Sequence, residues 1–364
     1  MTGLYYMLQT FTFFITAFLI TYFAVPYVIK FAAIRKLFDE TNERKIHLNT
    51  IPALGGVAIF AGIFFSVLFW ADGFNFSLLR WIVLSLVIVF LLGLKDDLVA
   101  IDPLKKLVGL LVASGLVVVY GDVRIESFHG LLGVGTLPYL ASIAFTLFVF
   151  IVVINAVNLI DGINGLAGGI GSIAAIAFGA LFFLNEHMSA AAFAFATAGS
   201  LLAFLCYNFA TARIFMGDGG ALILGLILAI LCTKFLNSNI TIGLFSDQPL
   251  PTPLLSLSIL IIPLVDTLRV FTIRLADKRS PFSPDRNHLH HQLLDLGMSH
   301  RRAAVILYAA NIYFIILTLV SVSLGLHTVL FLIILTAFIF SQIPSLLLRR
   351  KNTDVDVPAQ RQAA

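Results

Sequence analysis

A chain of 364 residues that is 60% hydrophobic and only 12% charged cannot be a water-soluble globule, so its composition describes a polytopic membrane protein. The net charge of +4 implies no nucleic-acid partner, because basic loops beside anionic lipid headgroups account for it. Cys206 and Cys232 fall in apolar stretches and read as small hydrophobes rather than as a disulfide or metal pair.

Apolar stretches of roughly 17 to 23 residues, long enough for a ~30 Å hydrocarbon core, recur along the whole chain. About eleven spans are predicted, over residues 8–29, 51–70, 79–94, 104–120, 137–157, 166–184, 190–209, 220–235, 253–270, 303–324 and 328–347. The first is too long, and its leading residues too uncharged, for a cleavable signal. The longest polar stretch, 274–302, is about thirty residues, too short for a core of its own. Residues 1–350 therefore form a single integral-membrane domain, and 351–364 a polar tail expected to be disordered. Lys and Arg crowd the connections near 30–50, 95–106, 210–219 and 271–302 and the C-terminal tail, whereas the alternate connections hold only Arg80, Arg124 and Lys234. Basic loops are retained in the cytoplasm, which predicts an outside N-terminus, a cytoplasmic C-terminus and an odd number of spans.

Five loops on that cytoplasmic face hold nearly all the Asp, Asn and His clusters. The first runs from Arg44, Lys45 and His47 through Pro52 to Gly55 and Gly56. It suits either a phosphate-facing helix start or a basic loop followed by a close helix contact. In the second, Asp96 and Asp97 are followed by Lys105 and Lys106. Adjacent carboxylates beside lipid need a compensating cation, which can be a Mg²⁺ half-site or simply Lys95 and Lys105. The third loop (155–169) carries Asn155 and Asn158 on one helix face, then Asp161, Gly162, Asn164 and Gly165. Turn chemistry and capping explain part of that set. In the fourth, Asp218 stands among glycines at a helix start, as a ligand-facing acid or as a cap. The fifth places His288, His290 and His291 after Arg279 and Arg286, an anion-binding surface or a metal site. A His-only zinc site fits poorly with adjacent histidines and no loop cysteine.

These motifs, in this order over essentially the whole chain, resemble the polyprenyl-phosphate N-acetylhexosamine-1-phosphate transferases, whose relatives include the phospho-N-acetylmuramoyl-pentapeptide transferase. The runs 155–165, 215–219 and 280–291 carry the resemblance most specifically. It implies an all-α fold of about ten or eleven membrane helices around a cytoplasmic cleft, in the bacterial inner membrane. The implied reaction moves a sugar 1-phosphate from a UDP-N-acetylhexosamine to undecaprenyl phosphate and releases UMP, initiating a cell-surface polysaccharide. N-acetylglucosamine is the expected sugar, with another N-acetylhexosamine as the alternative. The implied cofactor is Mg²⁺, with Mn²⁺ as a substitute, held by Asp97 and Asp218. Asp96, Asp97, Asp161 and His290 are the implied catalytic group. Lys45, His47, Lys105, Asn155, Asn158, Asn164, Asn208, Arg279, Arg286, His288 and His291 are the implied substrate-binding group. The resemblance is also compatible with a homodimer. Asn164 departs from the family's usual second acid in the turn, and an amide cannot act as a base. Two other classes remain in view. A secondary transporter would place ionisable groups at mid-span, where only Asp266 and Arg269 come close, spaced to pair with each other. A membrane metallohydrolase would use the histidines with a transition metal.

Overall fold

The computed structural model describes residues 2–37, 51–70, 76–238, 240, 250–280 and 287–361. Lys45, His47 and Arg286 lie outside the described residues. The apolar stretches form helices α1 (Thr2–Arg35), α2 (Gly55–Phe69), α3 (Phe76–Leu98), α4 (Pro103–Gly115, continued by a π turn to Tyr120), α5 (Tyr139–Ile160), α6 (Leu166–Leu184) and α7 (Met188–Asn208). The second half holds α8 (Gly217–Leu236), α9 (Thr252–Ile259), α10 (Ile261–Ala276), the short α11 (Leu289–Asp295), α12 (His300–Val320) and α13 (Leu326–Arg361). Nine described helices are long and apolar enough to cross a bilayer, or ten if α9 and α10 together make one span. Each predicted span has helix at its place, and the fold is all-α.

α8 forms the core. Every residue from Gly219 to Thr233 is buried, enclosed by α2, α3, α5 and α6. A helix apolar all round belongs in such a position. α1 lies outside, on α2 and α7. There Thr21 bonds Ser200 at 2.7 Å and Ser200 bonds the Ile59 carbonyl, while Gly62 lets the helices approach, since a Cβ on it would stand 2.0 Å from the Thr21 hydroxyl. Small residues and hydroxyls of this kind hold helices together where lipid supplies no hydrophobic drive.

Three sequence expectations are corrected. The span predicted from residue 51 becomes helical only at Gly55, because Pro52–Leu54 is tied to the loop before α8. Phe215 N–H donates to the Pro52 carbonyl at 2.9 Å, and the Gly55 and Gly56 N–H groups donate to the Phe215 and Met216 carbonyls at 2.9 and 2.8 Å. The N–H groups considered for phosphate are thus spent on backbone, and the close-contact reading of the two glycines holds. The span predicted over 253–270 is broken at Leu260, where α9 and α10 meet at 74°. Pro263 has no N–H for the Ile259 carbonyl. Asn311 of α12 supplies the missing donor, bonding Ile259 O and Ser258 O at 3.1 Å each. The same repair occurs in α1, where Pro26 orphans the Tyr22 carbonyl and the Tyr207 hydroxyl donates to it at 3.0 Å. Finally, α13 continues as helix to Arg361, past the point where a disordered tail is predicted.

Candidate active site

The loops of one end converge through their acids. Adjacent residues on a helix project about 100° apart, so Asp96 and Asp97 at the end of α3 diverge. Asp97 turns to the start of α8, where its carboxylate accepts the N–H of Asp218 at 2.7 Å and of Gly219 at 2.9 Å. An anion is favoured there by the helix dipole and the unpaired first-turn donors. Gly217 makes the approach feasible: it has φ +71, and a Cβ would meet Ala53 O at 2.2 Å and Asp97 at 2.7 Å. Asp96 turns the other way, accepting Ile101 N–H at 2.6 Å and Lys106 Nζ at 2.8 Å. Lys106 also bonds Asp218, whose other oxygen accepts Asn158 Nδ2 at 2.8 Å.

Asp161 follows α5 and faces the same cluster. Its carboxyl forms no hydrogen bond among the described residues. Burial first, and then the charges of Asp218 and Asp97, push its pKa well above the usual carboxylate value. Lys106 therefore sits among carboxylates that outnumber it, and Asp161 is the uncompensated one.

The histidine loop closes over this turn. His290 is buried with Nε2 unbonded, and it packs on Gly162 so closely that a Cβ there would lie 2.3 Å from Nε2. Burial, reinforced by His291, His288 and His300 and opposed by Asp266, pushes His290 down to about 4, so the imidazole is neutral. His288 instead anchors the loop. Its Nδ1 lies 2.8 Å from Asp266, whose other oxygen accepts Leu289 N–H at 2.7 Å. The spacing of Asp266 and Arg269 suggested a mutual pair. The structure gives Asp266 to His288, and Arg269 to the Asn287 carbonyl and to Ser345 at 2.6 Å. His291 stacks obliquely on His290, centroids 4.3 Å apart.

Some expected residues stand elsewhere. Lys105 is exposed, and its N–H is capped by Asp102. Arg279 is an exposed partner of Asp277. Asn155 bonds the Ile151 carbonyl of its own helix at 2.8 Å. Asn164 forms no side-chain hydrogen bond among the described residues. Asn208, expected to bind substrate, uses its amide on backbone: Oδ1 accepts Gly165 N–H at 2.6 Å and Nδ2 donates to Ile214 O at 2.8 Å. The cluster's cation, Lys106, is absent from the expected set. A signal for it existed, since Lys106, Leu110 and Ala113 are four and three residues apart, and the last two are buried.

The donors suit Mg²⁺ better than zinc. They are carboxylate and amide oxygens, and one carboxylate lacks compensation. Among the described residues no three His, Cys, Asp or Glu side chains are arranged to hold an ion by themselves. Mg²⁺ ordinarily takes one or two carboxylates and completes its shell from substrate phosphate and water.

A helical bundle that gathers acids, one lysine and a glycine-bounded turn at a single end is a polytopic membrane protein with a polar site at the membrane boundary. Residues 78–236 match the model of glycosyl transferase family 4. The decaprenyl-phosphate N-acetylglucosaminephosphotransferase of Mycolicibacterium smegmatis is 34% identical over 81% of this chain and 77% of its own. A probable undecaprenyl-phosphate N-acetylglucosaminyl 1-phosphate transferase of Bacillus subtilis is 30% identical over 89% and 88%. The undecaprenyl-phosphate alpha-N-acetylglucosaminyl 1-phosphate transferase of Haemophilus influenzae is 32% identical over 74% and 75%. The chain belongs to glycosyl transferase family 4.

Proposed function

We propose that this protein transfers N-acetylglucosamine 1-phosphate from UDP-N-acetylglucosamine to a polyprenyl phosphate, undecaprenyl phosphate being the expected acceptor, at the cytoplasmic face of the inner membrane. The gathering of Asp97 and Asp161 about Asp218, which shares Lys106 with Asp96, carries the reading, in a chain whose relatives are named as N-acetylglucosamine phosphate transferases of decaprenyl or undecaprenyl phosphate. Transfer of a phosphoryl-type group rests mainly on positioning and charge neutralisation. An oxygen of the lipid phosphate attacks the phosphorus bearing the sugar. The bond from that phosphorus to the bridging oxygen breaks, and UMP leaves with the electron pair. A phosphate monoester with a second pKa near ~6 is largely dianionic at neutral pH and needs little help from a base.

The residues divide the work accordingly. Lys106, held between Asp96 and Asp218, presents the positive charge to the phosphates. Asp96 has both oxygens engaged, which suits it to hold Lys106 rather than to take a proton. Asp97 fixes the start of α8, so that Asp218 faces Asp161. Asp218 and Asp161 would hold Mg²⁺, which neutralises the pyrophosphate charge when bound. Asp97, also expected as a ligand, has an N–H on each oxygen, as Asp218 has a side-chain donor on each of its own, so either would bind through a remaining lone pair. Neutral His290, with its free Nε2, faces the turn as a hydrogen-bonding group for the donor.

The test is UMP release by detergent-purified protein with UDP-N-acetylglucosamine and Mg²⁺, with and without undecaprenyl or decaprenyl phosphate, beside a Lys106→Met control. Release that requires lipid, Mg²⁺ and Lys106 supports the reading. Release to water without lipid would favour a hydrolase, and silence with every UDP-N-acetylhexosamine would end the proposal.

A further inference from the structure

The turn that carries Asp161 and Asn164 is held at Gly165 from two sides. Gly165 adopts φ +80, and a Cβ on it would strike Phe209 at 2.5 Å. Its N–H is bonded by Asn208 of α7 at 2.6 Å, and its carbonyl accepts the Tyr308 hydroxyl of α12 at 2.5 Å. The Tyr308 ring stacks on Phe209, centroids 6.2 Å apart, and lies over bare Gly169, where a Cβ would come within 2.0 Å of the ring. Both backbone groups of one left-handed residue are thus fixed by side chains from different helices.

α12 does a second thing from the same region. One turn beyond Tyr308, Asn311 bonds the carbonyls freed at the α9–α10 break, and α10 carries Asp266, which holds His288. Further along, Thr318 bonds Ser258 at 2.6 Å. A single helix therefore spans the distance between the Asp161 turn and the helix that anchors the histidine loop. Those two parts meet where His290 packs on Gly162.

We infer that Tyr308 is a positioning residue for the transferase reaction: through the Gly165 carbonyl it holds the Asp161 turn in register with Asp218 and His290. The inference rests on the transferase reading proposed above. Its hydroxyl touches no reacting atom. Reactions that depend on alignment lose up to about a hundredfold when groups shift by an ångström or so, so the loss should fall on turnover rather than on binding.

Tyr308→Phe removes only the hydroxyl and keeps the ring on Phe209 and Gly169. In the UMP-release assay on full-length protein, kcat should fall by about tenfold or more. KM for UDP-N-acetylglucosamine and for lipid phosphate should stay within about twofold, because uniform binding is untouched. Calorimetric titration with UDP-N-acetylglucosamine should count as many binding sites as in wild type, which separates misalignment from partial unfolding. Combined with Asn208→Ala, the loss should be less than the product of the two single losses, since both side chains act on one residue. Wild-type kcat in Tyr308→Phe, or a loss that merely follows a reduced number of binding sites, overturns the inference while leaving the transferase reading intact. Wild-type protein that releases no UMP overturns both.

Discussion

Asp97 and Asp161 share a cluster, yet substitution by asparagine should cost stability at the first and not at the second. Asp97 accepts two backbone N–H groups, and an amide must turn a donor toward one of them. Asp97→Asn should therefore cost about 1–3 kcal/mol of stability as well as activity, read as a lower melting temperature in detergent. Asp161 has no such partner and is repelled by Asp218 and Asp97. Asp161→Asn removes that repulsion and should melt no lower than wild type while losing Mg²⁺-dependent turnover. His290 gives a prediction in pH. The unfolded chain takes the proton at the ordinary 6.5, but the folded protein only near 4, so between those values the unfolded state binds more protons. Stability contributed by the neutral imidazole is full above about 6.5 and declines as the pH falls toward 4, by about 3 kcal/mol in all. His290→Gln should flatten that part of the stability profile. At this scale the sequence was informative about which acids gather, since Asp96, Asp97, Asp161 and Asp218 stand out as charges beside apolar spans. It was less informative about direction. That Lys106 rather than Lys105 faces inward was legible only through its spacing to Leu110 and Ala113, the buried positions of α4.

Helices α2 and α8 touch through bare backbone. A Cβ on Gly56 would lie 2.2 Å from Gly220 N and 2.6 Å from Gly219 C, and backbone cannot swing aside as a long side chain can. Gly56→Ala should separate the two helix starts and destabilise the protein by about 1–3 kcal/mol or more, seen as a lower melting temperature and a weakened grip on the Phe215–Gly219 loop. The α9–α10 break offers a sharper test. If Asn311 compensates for the donor that Pro263 lacks, Asn311→Ala should cost about 1–3 kcal/mol in the native background. It should cost less once Pro263→Ala restores an N–H, and the difference is the coupling measured by a double-mutant cycle. Equal losses in both backgrounds would mean that Asn311 is simply packed there. Apolar runs of bilayer length made the helices themselves legible, and the limits predicted for α6, 166–184, coincide with those observed. The break was not legible, because the run through Pro253 and Pro263 is as apolar as an unbroken span. Its partner lies some fifty positions away in α12, and no local pattern announces that contact.

Across the whole molecule, polar groups gather at both ends, and the proposed reaction predicts a side for each. The acid cluster occupies one end. At the other, the connection between α4 and α5 folds as a small hairpin with a Ser127–Thr136 bridge. It is fastened to α8 by His129 on the Leu236 carbonyl at 2.7 Å and by Asn237 on the Arg124 carbonyl at 2.6 Å. On the transferase reading proposed above the UDP-sugar comes from the cytoplasm, and basic connections are retained there, so the acid cluster is expected inside the cell and the hairpin outside. Lys105 and Leu132 are both exposed, at opposite ends, and neither takes part in the site, so each can carry a reporter. With Cys206 and Cys232 replaced by serine, Lys105→Cys should react with a membrane-impermeant maleimide in inside-out vesicles and not in intact spheroplasts, and Leu132→Cys should behave in reverse. The opposite pattern would put the acid cluster on the face where no UDP-sugar is available. The transferase reading would then have no donor, however well the site geometry suits one.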